Sequence, residues 1–279
     1  MKKIKADLHN HLAGESLGEF VSKNFFNKVI DKAHEKLGSG GILGLGDCIE
    51  ERYKEFIKHR DENSYDIEDL GNAIYVPEKD ILVVRGQEVF AKEGDILVLG
   101  FDQKYFIGEI GDVRTRNLEE CIKEAKDYGG IIGIDHGFFY QGSLPYLKKH
   151  PNLFEDIDFI EVHNGNAWIP LPGYFNSNKK AQEFYKEIEM EYPHLGAICS
   201  SDGHTVNEVG SSYSEIKDVI FSGPETLTEQ LRKSVREHKG WSEDKRKNSY
   251  FGASVHTLGM IPLKILEKIT GKYHSVSEK

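Results

Sequence analysis

Two short stretches of the chain place metal-ligand side chains two residues apart. The first contains His9 and His11, and the second contains Asp202 and His204. Each stretch continues an apolar run that is typical of a β-strand, in which alternate side chains point to one face. Asp7, His9 and His11 are therefore expected to share one face, on which the two imidazoles converge on one point that suits a metal ion. A His-x-His pair alone is also compatible with structural or surface histidines.

Three further apolar runs end on residues of the same ligand types. Asp47 follows residues 42–46, Glu88 lies near the end of residues 81–89, and His136 follows residues 131–134. In an α/β barrel the carboxyl ends of the strands share one face, which holds the active site. Because five strand ends would meet there, we predict one shared metal site. Its predicted ligands are His9, His11, Asp47, Glu88, His136, Asp202 and His204.

The ligand types indicate which metals and which reaction to expect. Imidazole and carboxylate donors together suit Zn, Mn or Fe, and the chain's three cysteines form no cluster in the sequence. More than four candidate ligands imply two or three divalent ions. Neighbouring ions can clamp the oxygens of a phosphate ester and lower the pKa of a water that attacks phosphorus. The pattern is therefore compatible with metal-assisted cleavage of a phosphate ester.

The elements that must position these residues alternate in type along the chain. Strands separated by helices favour βαβ units and a parallel sheet. Seven or eight strands in 279 residues predict a closed α/β barrel, with an open doubly wound sheet as the alternative. Asn178 is predicted to cap a helix. The predicted strands are residues 4–11, 41–47, 81–89, 95–101, 130–136, 158–163, 195–202 and, more weakly, 216–221; other predicted helices are 20–37, 117–128, 225–238 and 257–269.

Two segments interrupt this alternation. Residues 48–80 are long and polar, which predicts a loop or small lid after the second strand. Residues 241–279 are predicted to form a C-terminal helical extension packed on a barrel domain of residues 1–240.

The composition limits the partners and the compartment. There are 36 Lys and Arg residues against 46 Asp and Glu residues, a net charge of −10, which argues against a fold-wide basic surface for long nucleic acid. No apolar run approaches the roughly 20 residues of a membrane span, and the start lacks the apolar region of a signal peptide. With three sparse cysteines, this composition favours a reducing cytoplasm.

The ordered set of motifs resembles the PHP (polymerase and histidinol phosphatase) family. Similar motifs occur, in family order, at residues 7–11, 86–89, 134–136, 161–165 and 201–204. The resemblance extends over about residues 4–240. It implies a single distorted (β/α)7 TIM-like barrel, two or three metal ions and phosphoester hydrolysis, with Glu88 bridging two ions.

The chain departs from the family pattern in three places. The family's Thr-Asp-His motif reads Gly-Asp-Cys here, so Asp47 would bind directly or Cys48 would substitute, unless Cys48 is a neutral buried residue. The position of a further family histidine is Leu97. An acidic residue expected after His11 corresponds to Glu15, at a different spacing. We therefore expect a two-metal site with a weakened third position.

Two other residues are candidates for contact with substrate or with a metal ligand. His163 lies two residues after Glu161, and Lys180 opens a predicted helix, where it could meet a phosphate. A structural histidine and a solvent-exposed lysine are the alternatives. The predicted substrate is a small phosphorylated molecule or a short nucleotide.

Two other functions remain open from the sequence. One is an amidohydrolase-type metallohydrolase, which is disfavoured because no lysine stands at a predicted strand end. The other is a degenerate barrel that binds metal without catalysis, which Cys48 and Leu97 suggest.

Overall fold

Ten β-strands join in one sheet in the computed structural model of this chain, which describes residues 2–12, 24–46, 56–57, 60, 64–101, 115–167, 176–219 and 223–240. The strands are β1 Lys3–Asp7, β2 Gly41–Leu45, β3 Glu68–Asp69, β4 Ala73–Val76, β5 Ile81–Ala91, β6 Gly94–Leu99, β7 Ile131–Ile134, β8 Phe159–Asn164, β9 Gly196–Ser200 and β10 Ser214–Lys217. The helices are α1 Phe25–Leu37, α2 Leu118–Asp127, α3 Leu144–Leu147, α4 Ser177–Ile188 and α5 Pro224–Glu237; the segments Pro151–Asp156 and Val206–Glu208 form 3₁₀ turns.

Eight of these strands form a nearly closed barrel. Their order is β10-β1-β2-β5-β6-β7-β8-β9, and β3 and β4 lie beside β5 outside this path. The two ends of the path approach each other where the Ser214 hydroxyl oxygen accepts a hydrogen bond from the Cys199 backbone N–H at 2.7 Å. The predicted mixed α/β fold with a barrel-like sheet is therefore confirmed.

Within the eight-strand path of the barrel, the prediction of a parallel sheet is wrong at two strands. β6 runs antiparallel to both β5 and β7, and β10 runs antiparallel to β1. Only Lys92 and Glu93 connect β5 to β6, whereas a parallel connection needs about a dozen residues or more. The start of β6, at Asp95, therefore lies at the same end of the barrel as the end of β5.

Part of the segment that was predicted as a loop or lid belongs to the sheet. β3 pairs with β4, and β4 pairs antiparallel with β5, with Ala73 and Ile74 fully buried. These two strands are too short for an alternating pattern to stand out among their charged neighbours. Residues 47–55, 58–59 and 61–63, and the predicted extension at 241–279, lie outside the described residues.

Apolar side chains fill the barrel, and helix α5 closes one end of it. The interior cluster includes Ile4, Ala6, Leu8, Ile42, Leu82, Val84, Leu97, Leu99, Ile131, Phe159 and Ile198, and Leu227, Leu231 and Val235 of α5 join it. Thr228 Oγ1 donates to the Gly100 carbonyl at 2.7 Å, and an Arg232 guanidinium N–H donates to the Gly129 carbonyl at 2.6 Å. These carbonyls lie after the antiparallel β6 and before β7. α5 therefore covers the end of the barrel opposite the carboxyl ends of the parallel strands.

The helix boundaries follow local signals, with one correction. Asn117 and Glu120 form the predicted capping box at the start of α2. The residue that caps α4 is Asn176 rather than Asn178. Asn178 lies in the first turn, where its side chain accepts from the Asn164 N–H at 2.9 Å and donates to the Asn164 carbonyl at 3.0 Å. It ties the helix to the end of β8. Among the described residues, no helix combines the length and apolarity that a membrane crossing requires.

Candidate metal centre

Where β1 ends, the chain bends into the mouth of the barrel, which is the end at which the parallel strands have their carboxyl ends. The predicted strand through His11 stops at Asp7, and Leu8 packs in the barrel interior rather than on the opposite face. Two glycines of the neighbouring segment make room for this bend. A Cβ at Gly44 would lie 2.2 Å from the Leu8 carbonyl oxygen, and one at Gly46 would lie 3.1 Å from Cδ2 of His9. The prediction that residues 7, 9 and 11 share one face is therefore wrong for Asp7, since the alternation ends there.

Asp7 holds the bend in place. Its Oδ1 accepts from the Ser201 N–H at 2.9 Å, and its Oδ2 accepts from the Ser201 hydroxyl at 2.6 Å and the Gly210 N–H at 2.8 Å. Burial raises the pKa of this carboxyl to about 6, although these hydrogen bonds act to lower it. The oxygens of Asp7 thus connect the end of β1 to the chain after β9.

His9, His11 and Asp202 form a compact group of ligand atoms. The two Nε2 atoms lie 3.0 Å apart, and Asp202 Oδ1 lies 3.7 Å from that of His9 and 3.5 Å from that of His11. Two nitrogen ligands of one tetrahedral zinc ion, each at about 2.05 Å, are roughly 3.3 Å apart. All three side chains are buried. Their arrangement is therefore close to that of three ligands around one ion.

Glu161 sets the orientation of His9. Its Oε1 lies 3.0 Å from His9 Nδ1, and its Oε2 accepts from the His136 N–H and from Asn164 Nδ2, both at 2.9 Å. Burial raises the pKa of Glu161, but His9 and these donors outweigh it and lower the value to about 2. Because an ionised carboxylate only accepts hydrogen bonds, Nδ1 of His9 carries the proton when the ring is neutral. Its Nε2 lone pair then faces the group formed with His11 and Asp202.

Glu88 lies between two histidines. Its Oε2 is 3.5 Å from His11 Nε2, and its Oε1 is 2.8 Å from His136 Nε2. Burial acts to raise the pKa of Glu88, but the charges of His136, His11 and His9 hold it well below the usual range. The backbone of His136 has a φ of 24°, an uncommon value for a residue other than glycine. The carboxylate of Glu88 thus lies between two imidazoles, with one oxygen towards each.

His204 lies against the same group. Its ring stacks on His11 with centroids 4.7 Å apart, and its Nδ1 is 2.9 Å from the Asp202 carbonyl oxygen. The side-chain amide nitrogen of Asn166 lies 3.2 Å from the same Nδ1. His204 thus lies beside His11 and Asp202, and Asn166 and the Asp202 backbone position its ring.

Two buried carboxylates at this mouth were missed in the sequence analysis. Ligand atoms of Asp135 lie within 4.8 Å of those of His9 and Glu88, and Asp95 forms a similar group with Glu88 and His136. The predicted ligands all lie at the carboxyl ends of predicted strands, whereas Asp95 lies at the start of an antiparallel strand. Asp135 directly precedes His136, and strand alternation predicts that only one of two neighbours faces the site. Five residues between the predicted strands 81–89 and 95–101 were already too few for a parallel crossover, and this signal could have identified Asp95.

The donor set fits divalent cations. Within the described residues, the ion-pair partners of Glu88, Asp135, Glu161 and Asp202 are all imidazoles. Burial lowers the pKa of His9, but Glu161, Asp202 and Glu88 raise it to about 10, so the site attracts positive charge. Buried carboxylates are costly without such charge. Several of these buried groups could therefore hold metal ions.

The structure does not bring every predicted residue to this cluster. His163 is buried on β8, but a β-bulge between Glu161 and His163 interrupts the alternation by which residues two apart along a strand share a face. Lys180 is exposed on the first turn of α4, and no contact with the cluster is seen among the described residues. Glu15, Asp47 and Cys48 lie outside the described residues.

Comparison with known proteins shows the fold. No family model matches the sequence, and no curated protein matches it. PsfC from Pseudomonas syringae PB-5123 is similar in structure, with a TM-score of 0.61 and 15% identity over 95% of this chain and 100% of PsfC. Endonuclease Q, in complex with a 27-mer duplex substrate with an abasic lesion at the active site, has a TM-score of 0.54 and 18% identity over 87% of this chain and 58% of its own. At such identities the likeness establishes a shared fold.

Proposed function

We propose that this protein is a metal-dependent hydrolase of phosphate esters, with a PHP-like metal centre in a distorted (β/α)7-type barrel. The observation that carries the proposal is the position of Glu88 between His11 and His136, beside the group of His9, His11 and Asp202. The ordered motifs and the fold shared with an endonuclease support it. The proposed ligands are His9, His11, Glu88, His136, Asp202 and His204, with Asp47 as a further candidate.

Each side chain of this centre has its own proposed role. Divalent ions such as Zn, Mn or Fe, when bound, lower the pKa of a coordinated water and offset charge on a phosphate. Glu161 keeps the Nδ1 proton of His9 and so aims Nε2 at the centre. Glu88 and Asp202 supply the negative charge that retains two cations. A third ion would depend on Asp47 or Glu15, and Lys180 and His163 stay candidates for contact with substrate.

A small phosphorylated molecule or a short nucleotide is the proposed substrate. The net charge of −10 opposes the approach of a long polyanion, whose binding depends on basic side chains that meet its phosphates. The second candidate is duplex nucleic acid, because endonuclease Q, which shares the fold, binds a duplex substrate.

Metal analysis and hydrolysis assays test the proposal together. The protein, purified without chelators, should contain at least about one divalent ion per chain and hydrolyse p-nitrophenyl phosphate when Mn²⁺ or Zn²⁺ is added. His11→Ala should lower this activity on the order of 100-fold or more, because it removes a proposed ligand. His194→Ala is the matched control, since that ring contacts the Phe154 carbonyl away from the centre.

Other outcomes would overturn the proposed reaction or change the proposed substrate. Preference for amide substrates would identify an amidohydrolase-type enzyme. Bound metal without turnover of either substrate class would identify a non-catalytic barrel. Cleavage of a duplex containing an abasic site, in preference to the small phosphate, would instead select nucleic acid as the substrate, and its binding should then weaken steeply with salt.

A further inference from the structure

We infer that Asp135 is a metal ligand of this centre and completes a second ion position together with Glu88 and His136. The inference rests on the proposed metal-dependent function and goes beyond it, because Asp135 was not among the ligands predicted from the sequence.

The strand that carries Asp135 aims it at the mouth of the barrel. Ile132 and Ile134 of β7 pack against helices α2 and α4 outside the barrel, so Gly133 between them faces inward. At Gly133 an added Cβ would lie 2.0 Å from the ring of Phe159, which belongs to the interior cluster. Asp135 is the next inward position along the strand. Its carboxylate therefore lies above the apolar interior, at the level of the histidines.

The Asp135 carboxylate lies close to potential ligand atoms of three other residues, His136, Glu88 and His9. His136 Nε2 is 3.9 Å from Asp135 Oδ2 and 2.8 Å from Glu88 Oε1, and the ligand atoms of Asp135, Glu88 and His9 lie within 4.8 Å of one another. Ligands on opposite sides of one ion, at 2.0–2.2 Å each, are about 4.4 Å apart at most. Small movements of these side chains would let them share an ion.

The two proposed ion positions use different histidines as ligands. The Nε2 atom of His9 has one lone pair and binds one ion, and it lies closest to His11 and Asp202. The second position is then left to Glu88 and His136, with Asp135 and Asp95 as the neighbouring carboxylates. Leu97 pairs with both Glu88 and Gly133 in the sheet, so the intervening strand contributes an apolar side chain at the level of Glu88, and Asp95 lies two residues before it on the same strand. Asp135 supplies a further carboxylate from the next strand, on the side of His9.

Other buried aspartates show that this carboxylate is unusual. Asp7 accepts three hydrogen bonds, and Asp158 accepts from the Ile132 N–H at 2.7 Å and from Arg236 Nε at 2.5 Å. Asp135 is fully buried, yet neither of its oxygens has a hydrogen-bond donor within the part of the chain that the structure describes. A structural role would require such donors, whereas a metal ligand requires none.

The test compares Asp135→Asn with Asp158→Asn in the full chain. Metal content is measured after equilibration with defined free Zn²⁺ or Mn²⁺, and unfolding of the metal-free proteins is followed in denaturant. Asp135→Asn should retain about one ion fewer per chain than the wild type, or bind that ion at least about tenfold more weakly. Its metal-free form should be at least as stable as the wild type, because the neutral amide replaces a buried carboxyl group that lacks hydrogen-bond donors. Asp158→Asn should keep the metals and lose stability.

Each result decides between the two roles. If Asp135→Asn binds the wild-type number of ions with the wild-type affinity, the inference is wrong while the proposed metal centre stands. Lower stability of metal-free Asp135→Asn with unchanged metal content would establish a structural role. A wild-type protein that binds no ion would overturn both the inference and the proposed function. Asp135→Ala provides the same comparison if the asparagine variant does not fold.

Discussion

The Glu161 carboxylate lies 3.0 Å from Nδ1 of His9, and its other oxygen accepts the backbone N–H of His136. The Glu161 side chain thus orients both His9 and His136. Such contacts behind a metal ligand typically change metal affinity by about 10–100-fold.

We therefore expect Glu161→Gln to weaken metal binding by about 10–100-fold without unfolding the protein, because the amide keeps the shape and loses the charge. Competition with a coloured chelator measures the affinity. Glu237→Gln, at the end of α5, is the control and should bind like the wild type. Unchanged affinity in Glu161→Gln would show that His9 needs no such support.

Metal binding should strengthen as the pH rises. The pKa of His9 is raised to about 10 in the metal-free protein, so the ring is protonated at neutral pH and must lose that proton to bind an ion. The apparent affinity should increase by about tenfold per pH unit for each proton released. Calorimetry in two buffers of different ionisation enthalpy counts these protons. Affinity that stays constant between pH 6 and 9 would contradict the expectation.

The same shift predicts how the metal-free protein responds to pH. A histidine whose pKa is higher in the folded than in the unfolded state stabilises the fold fully below its unfolded value of 6.5. This contribution is lost as the pH rises from about 6.5 towards 10. Denaturant midpoints of the metal-free protein should therefore fall over this range. Metal-loaded protein should show a smaller fall, since the ions replace the protons.

Gly44→Ala should lower the free energy of unfolding by about 2–3 kcal/mol, because the new Cβ would lie 2.2 Å from the Leu8 carbonyl oxygen and backbone must move. The movement would also displace His9 and weaken metal binding. Gly240→Ala is the control, since a Cβ there meets nothing within 4 Å. Chemical denaturation of both variants provides the comparison, and equal stabilities would refute the role assigned to Gly44.

Asp7→Ala should cost about 2–4 kcal/mol of unfolding free energy, since it leaves the Ser201 and Gly210 donors buried without their acceptor. The exposed Asp127→Ala should change the stability by less than about 0.5 kcal/mol. If the two variants are equally stable, Asp7 does not hold the bend.

Local spacing predicted much of the site, and strand direction accounts for what it missed. The predicted ligands that come together are His9, His11, Glu88, His136 and Asp202. Each lies near or just beyond the end of a strand, so it reaches the mouth of the barrel even where the predicted strand boundary is inexact. The alternation of side chains between two faces of the strand ends after Asp7, because glycines of the neighbouring segment let the backbone turn inward. This is a packing effect between segments more than 30 residues apart in sequence, which local spacing does not show.

The buried carboxylates required knowledge of strand direction. Asp95 reaches the mouth only because β6 runs antiparallel, and the short connection at Lys92 and Glu93 dictates that direction. Asp135 and His136 are adjacent in the sequence, and both reach the centre because the chain departs from strand geometry at His136. Spacing in one segment does not reveal such a departure.

Helix α5 has a consequence for how the chain folds during synthesis. The residues that close the barrel, Leu227, Leu231 and Val235, lie late in the chain, and β1 must wait for β10 to pair along its outer edge. Until β10 and α5 have been synthesised, β1 has no partner on that edge and this end of the apolar interior stays uncovered. The earlier strands therefore expose apolar surface and an unpaired edge, the two features that make an incomplete chain prone to aggregate.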